Sequence, residues 1–492
     1  MSKIKKFLIL MAVAVPLATT QTMGQQVTLA DAIRIAQENS YAAQVAKYSF
    51  MASYWTWRSF KAELKPAVNL TGYLAGFDHS LVATRKYEDG RIAYVSNNSM
   101  DNYLTLSIDQ QIPATGGTVS LQSYLYRLDQ FSYDETTWTS RPLRISYTQP
   151  LKTYNSLKWE KKTAPLEYEI AKRDYLTAMQ NIAIQVTTLF FNVLEAQSNV
   201  KMSVAKLADR DSLLMTAQRR LALGTLSKSD VLQLELSQLN ARVAVGSNQL
   251  TLADRMYSLF SYLRVTDFER AELIPPYYVP EVMLAADDVL DKAIANSSHT
   301  LEQREAMLSA EKSLAQAKSN RGLQLTLKSE LGLTQSAHDL PGAYADLRDN
   351  EIIGLTLSLP IFDWGVSKGK VRMAKSRLDM VRTQQEQAHL DYLQELRRQV
   401  MQFNMLPDQC HDAMRAQEIA EERYAITRRR FENGAISVTE LNTAQQELES
   451  AKAQYITQLK TFWYDYYSLQ KSTLHDWINH FDLSVDFEEI IK

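Results

Sequence analysis

The sequence predicts an α+β membrane protein in which two copies of one unit each join long coiled-coil helices to strands of a transmembrane β-barrel. Three observations carry this. Segments Pro150–Gly224 and Pro360–Gly434 match at a constant offset of 210 positions without insertion or deletion. Pro150-Leu151 aligns with Pro360-Ile361, Arg219-Arg220 with Arg429-Arg430, Gly224 with Gly434, Ser227 with Ser437 and Asp230 with Glu440, and such internal repetition decides the architecture before any local reading. Within the repeats, apolar residues recur in alternating steps of four and three, the mark of supercoiled helices. Before each repeat the period drops to two over segments of about ten residues, the mark of membrane-barrel strands.

The chain opens with a secretory signal. Lys3, Lys5 and Lys6 precede the apolar run Phe7 to Leu17, and small and polar residues ending Thr22-Met23-Gly24 suit cleavage after Gly24, which sets off residues 1–24. The apolar run is too short to span a bilayer, and no later stretch approaches the length of a transmembrane helix. A net charge of −2 gives no nucleic-acid footprint. The one cysteine, Cys410, excludes an intrachain disulfide, a Cys-based metal cluster and an N-terminal lipid-modified cysteine.

Thr28, followed three residues on by Asp31, starts a short helix to about residue 39, and a second runs from about Tyr41 to Leu64 and stops at Pro66. Strands follow over about 66–150. Leu104, Leu106, Ile108 and Ile112 alternate with Thr105, Ser107, Asp109 and Gln111; Val119, Leu121 and Leu125 alternate with Ser120, Gln122 and Tyr124; Leu143, Ile145 and Tyr147 alternate with Arg144, Ser146 and Thr148. Val68, Leu70 and Leu74 give a weaker version broken by Gly72 and Gly76. In the second copy, strands over about 321–361 place Leu325, Leu327 and Leu331 against Lys328 and Glu330, and Ile353, Leu355 and Leu357 against Gly354 and Thr356. A soluble sandwich alternates likewise. The connections argue for the barrel, because residues 79–101 and 129–140 read as long loops and Pro113–Gly117 as a short turn, the asymmetry of a barrel with short turns on one side only.

Each repeat then reads as one helix of about 70 residues, roughly 105 Å long, interrupted only by Pro165 and Pro407. The shorter helices 41–64 and 226–263 together match that length, as do 298–320 and 436–475. Pro275-Pro276 and Pro280 form a linker, so the first repeat covers residues 25–275 and the second 281–480, and Asp287 to Asn296 repeats the small first helix. Residues 463–492 show no clear pattern, and 481–492 are set apart as a tail.

The motif Leu359-Pro-Ile-Phe-Asp-Trp-Gly365, its partner Gln149-Pro-Leu151, and the turns Arg219 to Asp230 and Arg429 to Glu440 resemble the TolC-like outer-membrane efflux protein family over essentially the whole mature chain. The resemblance implies a homotrimer whose β-barrel crosses the outer membrane, in contact with its lipids, and whose helices form a periplasmic α-barrel. It further implies a channel function: the exit duct of a tripartite efflux or type I secretion system, docking a periplasmic adaptor (membrane fusion) protein and coupled to an inner-membrane RND or ABC pump. Two departures stand out. The family's usual protomer gives four strands where this sequence gives six, so a trimer either makes an eighteen-strand barrel or leaves the hairpin around Thr115-Gly-Gly117 outside the wall. Glu440 falls on an acidic-ring position and Asp230 on a linking position, but Thr443 replaces a second acidic ring, and Phe431 and Ile436 stand where polar partners of Asp230 belong.

No catalytic or metal site and no cofactor is expected: seven histidines are scattered, and Cys410 and His411, adjacent on a helix, do not share a face. The transport residues are therefore the turn positions Gly224, Ser227, Asp230, Gly434, Ser437 and Glu440, as gate and adaptor contact. Gly224 and Gly434 are read there as helix-ending residues with positive φ, and Asp230 and Glu440 equally suit the first turn of a helix. Asp109, Arg144, Lys328 and Glu330 point to a wet barrel lumen. Phe362 and Trp364, at a strand-to-helix junction, suit either an interfacial aromatic girdle or core packing. The alternative reading of the whole is a secreted or periplasmic coiled-coil scaffold without channel activity; a stand-alone porin does not require such helices.

Overall fold

The computed structural model describes residues 26–85, 90–266, 271–276, 278–433 and 435–491, so the expected signal segment and Gly434 lie outside the described residues. In chain order the elements are β1 (Gln26–Val27), α1 (Leu29–Asn39), α2 (Tyr41–Glu63), β2 (Ala67–Arg85), β3 (Ile92–Ile112), β4 (Gly117–Gln130), β5 (Glu135–Pro150), α3 (Ser156–Ala222), α4 (Lys228–Leu263), β6 (Glu272–Leu273), α5 (Ala286–Asn296), α6 (His299–Arg321), β7 (Gln324–Ala337), α7 (Leu340–Ala343), β8 (Arg348–Ser358), α8 (Val366–Glu432), α9 (Val438–Thr473), β9 (His475–Asp476), β10 (Phe481–Asp482) and α10 (Phe487–Ile491). The repeat is kept to the residue. α3 and α8 are each 67 residues long and α4 and α9 each 36, with every boundary at the same offset. Pro165 and Pro407 sit inside the long helices without ending them. The chain divides into two compact units.

One unit comprises Met1–Gln44, Met179–Met283 and Gln402–Leu469. Thr28 caps α1 by accepting from the Asp31 backbone N–H at 3.2 Å, and its hydroxyl donates to the Asp31 carboxylate at 2.7 Å, the reciprocal pattern that satisfies helix-end donors. β1 pairs in parallel with β6. The ends of the two helical hairpins, α3–α4 and α8–α9, share an apolar cluster of Leu213, Leu214, Ala217, Val231, Leu234, Phe431, Val438 and Leu441. Cys410 is buried in α8, and burial pushes its thiol up to about 11. It is expected to resist a thiol alkylating agent at pH 8 in the native protein and to react fully in denaturant; the labelled mass reads this directly.

The other unit comprises Val45–Ala178, Leu284–Met401 and Gln470–Lys492. Its sheet is antiparallel throughout, in the order β2-β3-β4-β5-β7-β8. The hairpin around Thr115 is thus integral to the sheet, and among the described residues β2 and β8 each have a free edge. Five strands are clearly longer than the ten or so residues of apolar alternation, because polar flanks also pair, as in Asp78↔Ser99, His79↔Asn98 and Ser80↔Asn97. Unpaired backbone groups are costly wherever water is scarce. Much of the expected loops 79–101 and 129–140 is therefore ladder, and the second narrows to a turn at 131–134. The connection between β7 and β8, residues 338–347, carries α7, capped by Asp339. A Cβ on Gly332 would meet the Leu143 carbonyl oxygen at 2.6 Å, so only glycine lets β5 and β7 approach where their register shifts between Ser140 and Arg144.

Residues 463–491 are more ordered than their composition suggests. α9 continues to Thr473, and the β9–β10 hairpin follows. Asp482 joins this hairpin to α5, accepting from Lys292 at 2.8 Å and Asn296 at 2.9 Å and lying 2.7 Å from His475 Nδ1. Lys292 foremost, with His475 and Asn296, holds the Asp482 carboxyl down at about 2. A depressed folded value stabilises above the ordinary carboxylate range and is lost as pH falls through about 2. Asp482→Asn should therefore melt below the wild type at pH 7, and the two melting curves should converge as pH drops from about 4 toward 2.

Candidate functional site

The sheet has two chemically distinct faces. Directly paired residues in an antiparallel ladder share a face, so the register defines rows across the strands. One row reads Val68, Ile108, Leu121, Ile145 and Leu331 across five strands. All five are exposed, from 37% at Leu121 to 67% at Val68, and a contiguous apolar belt of this kind needs a nonaqueous neighbour. On the opposite face the rows are polar: Asp109, Ser120, Ser146 and Glu330, and beside them Asn69, Ser107, Gln122 and Arg144.

The register brings Asp109, Arg144, Lys328 and Glu330 onto this one face, Lys328 being opposite Thr148. Arg144 on β5 spans its two neighbours, with Nη1 3.3 Å from Glu330 on β7 and Nε 3.1 Å from Gln122 on β4. Asp109 accepts from Ser107 at 2.7 Å and Asn69 at 3.2 Å. Asp109, Arg144 and Glu330 are thus partnered within the sheet, as partly buried polar groups require.

At the hairpin ends, Gly224 has φ +71°, Gly224 N–H donates to Leu221 O and Thr225 N–H to Arg220 O, the pairing that ends a helix on a left-handed residue. A Cβ there would meet nothing within 4 Å, so the backbone angle alone selects glycine. Ala435 N–H donates to Arg430 O in the second copy. Ser227 and Ser437 accept from the backbone N–H groups of Asp230 at 3.1 Å and Glu440 at 3.2 Å. Ser227, Asp230, Ser437 and Glu440 thus occupy first-turn capping positions.

The sequence reading missed the polar network beside them. Asp209 on α3 accepts from the Tyr424 hydroxyl at 2.8 Å and is 3.0 Å from Arg428 Nη1, both on α8. Burial first, then donation to Asp209, raises the Tyr424 hydroxyl above its ordinary value. Next to Asp209, Arg210 is 2% exposed and donates to Asn442 at 2.7 Å and Gln445 at 2.6 Å on α9. Lys206 reaches Glu449 at 2.9 Å, and Lys206, Asp209, Tyr424, Gln445 and Glu449 border a cavity of about 380 Å³. The side chains of Phe431 and Ile436 make apolar contacts: Phe431 is 1% exposed within the apolar cluster, against which Ile436 packs, while the Phe431 carbonyl accepts from Arg220 at 3.4 Å. One signal was legible. At the repeat offset, Asp209, Arg210, Tyr424 and Arg428 correspond to Ile419, Ala420, Leu214 and Gln218, so the link between the copies is made once and is not duplicated by the repeat.

Phe362 and Trp364 form an edge-to-face pair with ring centroids 4.6 Å apart, and Trp364 is 89% exposed. They are not packed into this chain's own core.

The model of the outer membrane efflux protein family matches residues 86–263 and 289–462. No curated protein sequence matches the chain. Among solved structures the chain is similar to the CmeC outer membrane channel of Campylobacter jejuni (13% identity, TM-score 0.64, covering 94% of this chain and 88% of that one). It is also similar to the outer membrane protein VceC of Vibrio cholerae (15%, 0.61, 91% and 95%) and to CusC (15%, 0.63, 90% and 91%). At these identities the likeness is one of fold. The family model, in contrast, matches one long segment in each repeat and together most of the sequence, and on that match the chain belongs to the outer membrane efflux protein family, whose members are channels rather than enzymes.

Proposed function

We propose that this chain is a passive outer-membrane exit duct serving a tripartite efflux or type I secretion assembly. The observation that carries the reading is the six-stranded sheet with an exposed apolar belt on one face, a charged polar face on the other and two open edges. Three copies close it: β8 runs opposite to β2, so β8 of one copy can pair antiparallel with β2 of the next, and three sheets of six give a barrel of eighteen strands, a size that leaves an aqueous channel. Asp109, Arg144, Lys328 and Glu330 then line the lumen. The hairpin ends, with Gly224, Ser227, Asp230, Gly434, Ser437 and Glu440, extend into the periplasm, form the gate and meet the hairpins of a periplasmic adaptor. Energy comes from an inner-membrane RND or ABC pump, since the sequence holds no phosphate-cradling glycine loop.

The test is membrane fractionation followed by native mass and single-channel recording of the detergent-extracted species. Recovery from the outer membrane at three times the protomer mass, with a stable conductance, is expected. A monomer or dimer released without detergent would favour the coiled-coil scaffold and refute the duct.

A further inference from the structure

The helix ends adjoining the sheet carry exposed positive charge, and the helices account for only part of it. α2 ends with Arg58 and Lys61, and Lys65 follows just before β2. α6 ends with Lys318 and Arg321 just before β7. Cations at helix C-termini complement the helix dipole. The first two turns of α3 and α8 do the reverse. Lys158, Lys161 and Lys162 open α3 and Lys368, Lys370 and Arg372 open α8, against one acid within each start, Glu160 in the second turn of α3 and Asp363 capping α8. There the dipole opposes positive charge, so helix stability does not explain these residues. All six are exposed, and among the described residues none of them has a carboxylate at ion-pair distance. The chain as a whole has a net charge of −2, so the excess is local to this level of the fold.

Three cations at this level, two on α2 and one on α3, lie over tryptophan rings. Lys61 Nζ lies 3.7 Å from the Trp57 ring centroid, the Arg58 guanidinium 5.1 Å from Trp55, and Lys162 Nζ 5.0 Å from Trp159. At the start of α8 the exposed Phe362 and Trp364 stand at the same level, after β8. Tryptophan with an apolar body and a polar edge, beside a long cationic side chain, suits the boundary between hydrocarbon and water. The apolar belt of the sheet begins immediately beyond, on the side away from the turn at 131–134 and from α7.

We infer that this collar of lysines and arginines at the helix ends binds the phosphate groups of anionic phospholipids, in the leaflet nearest the helices, while the acyl chains lie against the apolar belt. The inference rests on the membrane-spanning reading of the sheet. A free phosphate would gain the charges but not the belt, so the lipid is the better occupant.

The test reconstitutes the full-length protein in nanodiscs of phosphatidylcholine with a fixed fraction of phosphatidylglycerol and counts co-purifying lipids by native mass spectrometry. The wild type is compared with Lys158→Gln/Lys161→Gln/Lys162→Gln and Lys368→Gln/Lys370→Gln/Arg372→Gln, and with the corresponding arginine versions of the lysine sites. Each surface cation near a bilayer contributes a severalfold preference, so the wild type should enrich phosphatidylglycerol about tenfold or more. Each glutamine variant should lose most of that enrichment, the arginine versions should keep it, and added salt should weaken it. Equal retention of the two lipids by the wild type, or undiminished enrichment in both glutamine variants, overturns the inference. So does altered ion selectivity of the glutamine variants with unchanged lipid retention, which puts the cations along the pore, or equal occupancy by inorganic phosphate in detergent. A wild-type chain that enters no bilayer refutes the membrane reading itself, a separate and earlier failure.

Discussion

Leu121→Arg is expected to destabilise the sheet by about 2–4 kcal/mol per protomer, whereas Ser146→Arg should be tolerated. Leu121 lies on β4 in the middle of the apolar row, between Ile108 and Ile145. A guanidinium there would stand in hydrocarbon with no acceptor, and the free energy of placing it there is largest near the midplane. Ser146 lies on the other face, between Ser120 and Glu330, where a cation meets water and a carboxylate. In a closed trimer the first change is felt three times over. Heat-modifiable gel mobility and the yield of assembled trimer in outer membranes read both variants. Equal tolerance of the two arginines would mean that both faces are wet.

Asp209→Ala should have the next largest effect, about 2–3 kcal/mol, because it leaves the Tyr424 hydroxyl and the Arg428 guanidinium without their shared acceptor. Ser227→Ala, which removes only a helix cap, should cost about 1 kcal/mol. The loss at Asp209 is expected to appear as faster hydrogen exchange through residues 420–432, where α8 ends against the apolar cluster, and in a reconstituted channel as a more frequently open state. Unchanged exchange over that span would show that Phe431 and its apolar neighbours alone hold the hairpin ends together.

The long helices and the strands were legible because each carries a repeating signal: α3 and α8 through the residue-by-residue match of the two copies, β3, β4 and β5 through strict alternation of apolar and polar residues. The full strand lengths were not. Pairs such as His79 and Asn98 are joined by backbone hydrogen bonds, which leave no trace in side-chain hydropathy. The lumen candidates Asp109, Arg144, Lys328 and Glu330 could be placed on one face by parity alone, but the contact of Arg144 with both of its neighbouring strands depends on the pairing of β5 with β4 and β7, with Gln122 directly opposite Arg144 and Glu330 opposite Ser146, which no single strand records. At the hairpin ends, attention to the turns pointed to Asp230. Asp209, the acid that joins α3 to both Tyr424 and Arg428 of α8, lies well before the turn, in the body of α3. Contacts between helices distant in sequence depend on their relative rotation, and a stripe of apolar residues fixes that rotation only to within a side chain or two.

The matched lengths of α3 with α8 and of α4 with α9 constrain how such a chain can diverge. One residue inserted into α3 before Asp209 would turn everything beyond it by about 100° and advance it by about 1.5 Å, carrying the carboxylate away from Tyr424 and the cluster leucines out of register. Heritable changes in helix length should therefore arrive as whole heptads, and in both halves of the gene together, while the strand connections remain free to lengthen or shorten one codon at a time.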